Sequence, residues 1–143
     1  MSLVISARGG DPASVRCPVM AVALPSGLKS AGKNLAALDR LYGGQIGNAL
    51  RARDFRGGRD ETFSLSQAGK RGPTRVLLVG MGGGDRVAAV RRAAALAART
   101  AHRQGFGELV FFAGALTADE AEAVTVGLGL GAWEYTLTKT PPP

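Results

Sequence analysis

The sequence predicts a three-layer α/β fold, a mixed and mostly parallel sheet flanked by helices. Apolar runs of strand length alternate with stretches of helical periodicity along the chain. The run Arg75-Val76-Leu77-Leu78-Val79 is unbroken, the pattern of a central strand covered on both faces. The 143 residues amount to one domain, and a domain of this size buries roughly 70% of the surface its unfolded chain exposes. Hydrophobic residues at 45% and charged residues at 20% are globular proportions, which sets disorder aside.

Val4-Ile5-Ser6 is short and apolar, an edge strand, and Gly9-Gly10-Asp11-Pro12 punctuates the turn after it. From Val15 to Leu24 the chain is rich in Val and other apolar residues. Pro25-Ser26-Gly27 ends this run, which predicts a buried strand. Leu35, Leu38, Leu41 and Tyr42 recur at three- and four-residue spacing, so a helix is expected from Asn34 to Leu41. Gly43-Gly44 bends the chain there, because glycine costs a helix interior about 1 kcal/mol relative to alanine. A second short helix follows from Gln45 to Arg51. Thr62-Phe63-Ser64-Leu65-Ser66 alternates polar and apolar, a half-buried strand, and Gln67 to Thr74 is a turn.

After the strand at Arg75 to Val79, Gly80 to Gly84 forms a turn. A long alanine-rich helix then runs from Asp85 to Gln104, with Val87, Val90, Ala94, Ala97, Ala98 and Ala101 as its core stripe. Leu109-Val110-Phe111-Phe112 predicts another buried strand. Thr117 and Glu120 have capping-box spacing and open a last helix, whose buried face is expected from Ala121, Val124, Leu128 and Ala132. Trp133 to Leu137 is expected as a final short strand or extended exit, and Pro141-Pro142-Pro143 as a linker.

Eighteen Lys and Arg against eleven Asp and Glu give a net charge of +7. Such a field attracts nucleic acid or other anionic partners, although scattered arginines also serve solubility alone. Cys17 is the single cysteine, which excludes an intramolecular disulfide and fits a reducing, cytoplasmic address. No apolar run approaches the roughly 20 residues that span a bilayer, so no membrane partner is expected.

The turn Gly80-Met81-Gly82-Gly83-Gly84-Asp85 follows a strand and opens a helix, where backbone N–H groups attract an anion. Asp85 stands where the dinucleotide fingerprint needs glycine, and no Gly-Lys-Ser or Gly-Lys-Thr follows. Gly80, Gly82, Gly83 and Gly84 are therefore read first as a tight strand-to-helix turn, and an anion site second. Arg92, Arg99 and Arg103 fall on one side of the long helix, read as a solvated face rather than a phosphate-binding stripe. His102, the sole histidine, has no Cys, His or carboxylate constellation around it in sequence, and Cys17 has no partner histidine. Asp54, Asp60 and Glu61 are crowded by Arg51, Arg53, Arg56 and Arg59, which favours surface ion pairs over a metal site. No catalytic residue, metal ligand or cofactor-binding set is predicted in this chain.

Several segments, read in order, resemble the N-terminal domain of the leucyl aminopeptidase (cytosol aminopeptidase) family. They are Leu38-Asp39 with Gly43-Gly44 and Leu50; Asp54-Phe55-Arg56-Gly57 with Glu61; Arg75-Val76-Leu77-Leu78-Val79-Gly80-Met81-Gly82; Arg91-Arg92-Ala93 with Ala98-Arg99; and Gly127, Leu130-Gly131, Trp133, Tyr135 and Lys139-Thr140. Gly58, Asp60, Val126 and Thr138 depart from the family pattern. The resemblance implies a macro-domain-like domain over residues 4–140, with 141–143 opening a linker to a separate catalytic domain. It also implies that two divalent metals, zinc or manganese, sit in that catalytic domain, which removes N-terminal residues from peptides. Such enzymes are usually homohexamers, and the domain read here is expected to support assembly and access to the active site. The reading set against this one is a macro-like binding module for a nucleotide, ADP-ribose or nucleic acid.

Overall fold

The computed structural model describes the backbone of residues 4–5 and 11–139, and side chains over 11–131. Five strands form one sheet in the order β1-β5-β2-β4-β3. They are β1 (Val4–Ile5), β2 (Val19–Pro25), β3 (Thr62–Ser66), β4 (Arg75–Gly82) and β5 (Glu108–Phe112). All neighbouring pairs are parallel except β3, which runs antiparallel to β4 at the sheet edge. Four α-helices flank the sheet: α1 (Ala36–Leu41), α2 (Gln45–Arg51), α3 (Arg86–Arg103) and α4 (Ala118–Lys139). The fold is thus the three-layer, mostly parallel α/β arrangement that the alternation predicts.

The period-two alternation of strand side chains separates two cores. Val19, Ala21, Ala23, Leu77, Val79 and Met81 meet α3 on one face of the sheet, and α4 packs on α3 to complete that core. Met20, Val22, Leu24, Val76 and Leu78 meet Leu35, Leu38, Tyr42, Ile46, Leu50 and Phe55 on the other. β4 is covered on both faces, as its unbroken apolar run requires, but the centre of the sheet belongs to β2. Asp39 holds α1 to α2 across the Gly43-Gly44 bend, because its Oδ1 accepts the N–H groups of Ile46 at 2.9 Å and Gly47 at 3.2 Å. It caps the first turn of α2, where Gly44 has no side chain to do so.

Several expectations change. β2 begins at Val19 rather than Val15, since Pro18 has no N–H to offer a ladder; Val15 and Cys17 are buried ahead of it, outside the strand. The helix from Asn34 starts as a 3-10 turn over Lys33–Leu35 before α1. β4 runs on through Gly82, so the turn before α3 is shorter than the glycine run suggests. In β5 only Leu109 is fully buried, because α4 packs on α3 rather than over this strand. On α4, Leu128 is buried and Val124 packs against the core as expected, but Ala121 faces solvent. Glu120, Ala123, Gly127 and Gly131 also lie on the inner side; the Ala132 side chain lies outside the described residues. Trp133 to Leu137 is helical, not extended: with no proline between Ala118 and Lys139, α4 propagates through residues whose local preference is for strands. The linker expected at Pro141-Pro142-Pro143 lies outside the described residues.

Candidate functional site

The parallel strands β2 and β4 end at Pro25 and Gly82, on the side of an open α/β sheet where crevices form. In this protein the loop of residues 55–61 lies across that end. Phe55 plugs the core completely. Beyond it, the Gly80 N–H donates to the Glu61 carbonyl at 2.7 Å and the Gly82 N–H to the Gly57 carbonyl at 2.8 Å. The approach is so close that a β-carbon at Gly80 would overlap the Gly58 carbonyl oxygen. Glu61 shapes the loop from within, its Oε1 accepting the Gly58 N–H at 2.9 Å and the Arg56 N–H at 3.1 Å. The segment Asp54-Phe55-Arg56-Gly57 with Glu61 is therefore a structural clasp.

Of the predicted glycine turn, Gly80 and Gly82 give their N–H groups to this clasp. Gly83 and Gly84 are exposed, and Asp85 caps α3 by accepting the Ala88 N–H at 3.2 Å. Asp54 and Asp60 are exposed and Glu61 serves the clasp, so these three do not converge. Arg92, Arg99 and Arg103 do not share one solvated face. Only Arg103 is exposed, while Arg92 is half-buried and its Nη2 donates to the Met81 carbonyl at 3.3 Å. His102 and Cys17 are both buried. Among the described residues no group of three or more His, Cys, Asp or Glu is placed to hold a metal ion.

Beside the clasp lies a cavity of about 400 Å³, which the sequence reading did not anticipate. Gly27, Leu28 and Lys29, just past β2, form one wall. Leu50, Arg51, Arg53 and Arg56 form the other, with Phe55 beneath. The second wall follows from how α2 ends. The Arg53 N–H donates to the Leu50 carbonyl at 3.3 Å and the Asp54 N–H to the Ala49 carbonyl at 2.9 Å, a Schellman termination. That geometry puts Arg53 at φ +62, a left-handed position that glycine normally fills. The Gly27 N–H donates to the Arg56 carbonyl at 3.3 Å and ties the two walls together. The arginine run was legible in sequence; its convergence with Lys29 needed the fold.

The model of the cytosol aminopeptidase family's N-terminal domain matches residues 21–142 of the chain. No curated protein matches it.

Proposed function

This chain belongs to the cytosol aminopeptidase family, through that family's N-terminal domain, and from that premise we propose that it is a scaffold rather than a chemical unit. In this reading it supports assembly of a metal-dependent aminopeptidase and shapes access to an active site. The peptidase chemistry belongs to a C-terminal catalytic domain with two divalent ions, zinc or manganese. The residues described here do not fit such an ion pair, and no step of hydrolysis is assigned to them.

The observation that carries the reading is the use this domain makes of five of its carboxylates. Asp11, Asp39, Glu61, Asp85 and Glu120 each accept backbone N–H groups at a cap, a bend or the clasp. A metal ligand or general base must turn its lone pairs toward a reaction centre, and these are turned into the chain itself. Support for assembly comes from α4, where Val126 and Leu130 stand one turn apart, 45% and 47% exposed. An apolar pair of that kind suits contact with another protein surface.

The test is a peptidase assay on the 143-residue chain with a leucyl peptide and added zinc or manganese. No release of leucine is expected. Turnover that scales with chain concentration and stops with a chelator would contradict the proposal.

A further inference from the structure

We infer that the cavity between residues 27–29 and residues 50–56 is a binding site for a small organic phosphate. The inference is independent of the scaffold role. Lys29, Arg51, Arg53 and Arg56 all line a cavity of about 400 Å³, and among the described residues no acid lines it. Asp54, the one acid inside the segment, is not among the lining residues. Like charges gathered on a concave wall raise the local concentration of an anion. Guanidinium forks match the several oxygens of a phosphate better than a single carboxylate, and their combined charge suits a dianion.

The backbone around the cavity is largely satisfied by its own bonds. The end of α2 is closed by the N–H groups of Ala52, Arg53 and Asp54, and the Gly27 N–H is engaged with Arg56. The side chains offered to a ligand are Lys29, Arg53 and Arg56, whereas the Arg51 guanidinium already donates through Nη2 to the Asn48 side-chain oxygen. Leu28 (37% exposed) gives the cavity its open apolar surface, with the buried Leu50 and Phe55 behind it. The volume exceeds what an inorganic ion needs and falls in the range of small-molecule sites, roughly 300–1,000 Å³. An organic group on the apolar side and a phosphate among the cations fill both halves.

Arg53 adds an observation of a different kind. Its left-handed backbone is the place where glycine is least strained, yet the chain places there the side chain that faces the cavity. A purely structural termination would be better served by glycine. Strain of this sort gathers where a side chain is needed for binding.

The experiment titrates inorganic pyrophosphate, adenosine monophosphate and citrate into the 143-residue chain, following backbone amide shifts by NMR. Saturable shifts concentrated on residues 27–29 and 50–56 are expected, with adenosine monophosphate binding more tightly than pyrophosphate and citrate weakest. Arg53→Gly is expected to weaken binding by about tenfold, the scale of one charge-assisted contact, while melting no lower than the parent chain. Arg56→Ala serves as the second variant, because its backbone bonds in the clasp survive the change. No saturable binding at millimolar ligand overturns the inference. So does parent-like affinity in both variants, citrate binding as tightly as the phosphates, or shifts spread evenly over the basic surface.

Discussion

At Glu120 one carboxylate joins two elements. Its Oε1 accepts the Thr117 N–H at 3.0 Å, its Oε2 meets Arg86 Nε at 3.0 Å, and its own N–H donates to Thr117 Oγ1 at 3.1 Å. The capping box thus starts α4 and pins it to the first turn of α3. The Thr117 N–H holds the carboxyl below its ordinary value of 4.5, and Arg86 adds to that, together outweighing the opposing effect of burial. A depressed carboxyl stabilises the fold fully above the unfolded value and loses that contribution as pH falls through the folded one. Glu120→Gln keeps the capping geometry and removes the charge. The variant is expected to melt below the parent protein at neutral pH. The gap should close as pH drops below about 4.5, read from melting temperature against pH; a gap of constant width would contradict the assignment. Tyr42 illustrates the opposite direction. Its hydroxyl donates to the Pro73 carbonyl at 2.7 Å, and burial pushes its pKa up to about 12. It therefore stays neutral, and its stabilising share is lost only in strong alkali.

Between elements, the tightest seam is α3 against α4. Gly127 and Gly131 lie one turn apart on α4, and a β-carbon on either would overlap the Arg91 or Ala95 carbonyl oxygen of α3. Glycine is unfavourable in a helix interior by about 1 kcal/mol, so Gly127→Ala would stabilise an isolated helix. Here the helix axes must separate to admit the methyl group, and overpacking of this kind costs roughly 1–3 kcal/mol. The expected outcome is net destabilisation, measured by urea unfolding; a more stable variant would show that the seam yields. The same seam explains what sequence periodicity reveals and what it conceals. α3 was legible almost to the residue, because Asp85 caps it and its stripe has a clear phase. α4 carries apolar or small residues on nearly every side, so its buried face had no phase to read, and Ala121 was assigned inward while Gly127 was not. The clasp was similar: Phe55 and Glu61 stood out as a motif, but only the fold shows Gly80 pressed against Gly58. Lys29 joins the arginines through a contact between segments distant in sequence, which no local pattern records.

The molecule as a whole stacks two helical layers on one sheet, and each layer is finished differently. On the α1/α2 side, the sheet meets large side chains such as Tyr42, Ile46 and Phe55, and the outer surface of the layer is polar and basic. On the α3/α4 side, small residues let α4 lie close on α3, so α4 is a second tier whose outward face is left to solvent. Val126 and Leu130 on that face keep nearly half of their surface open to solvent. Burying an apolar side chain is worth about 1.5–3 kcal/mol, so a pair left exposed is a driving force held in reserve for a neighbouring surface. If that neighbour is another part of the aminopeptidase assembly, charge placed there must oppose association without touching the fold. The double variant Val126→Lys, Leu130→Lys is expected to melt within about 0.5 kcal/mol of the parent domain, as surface substitutions do. In an aminopeptidase assembly of the kind proposed above, it is expected to shift sedimentation toward smaller species. Unchanged sedimentation would remove α4 from the assembly surface, and a large loss of domain stability would mean that the face packs inward after all.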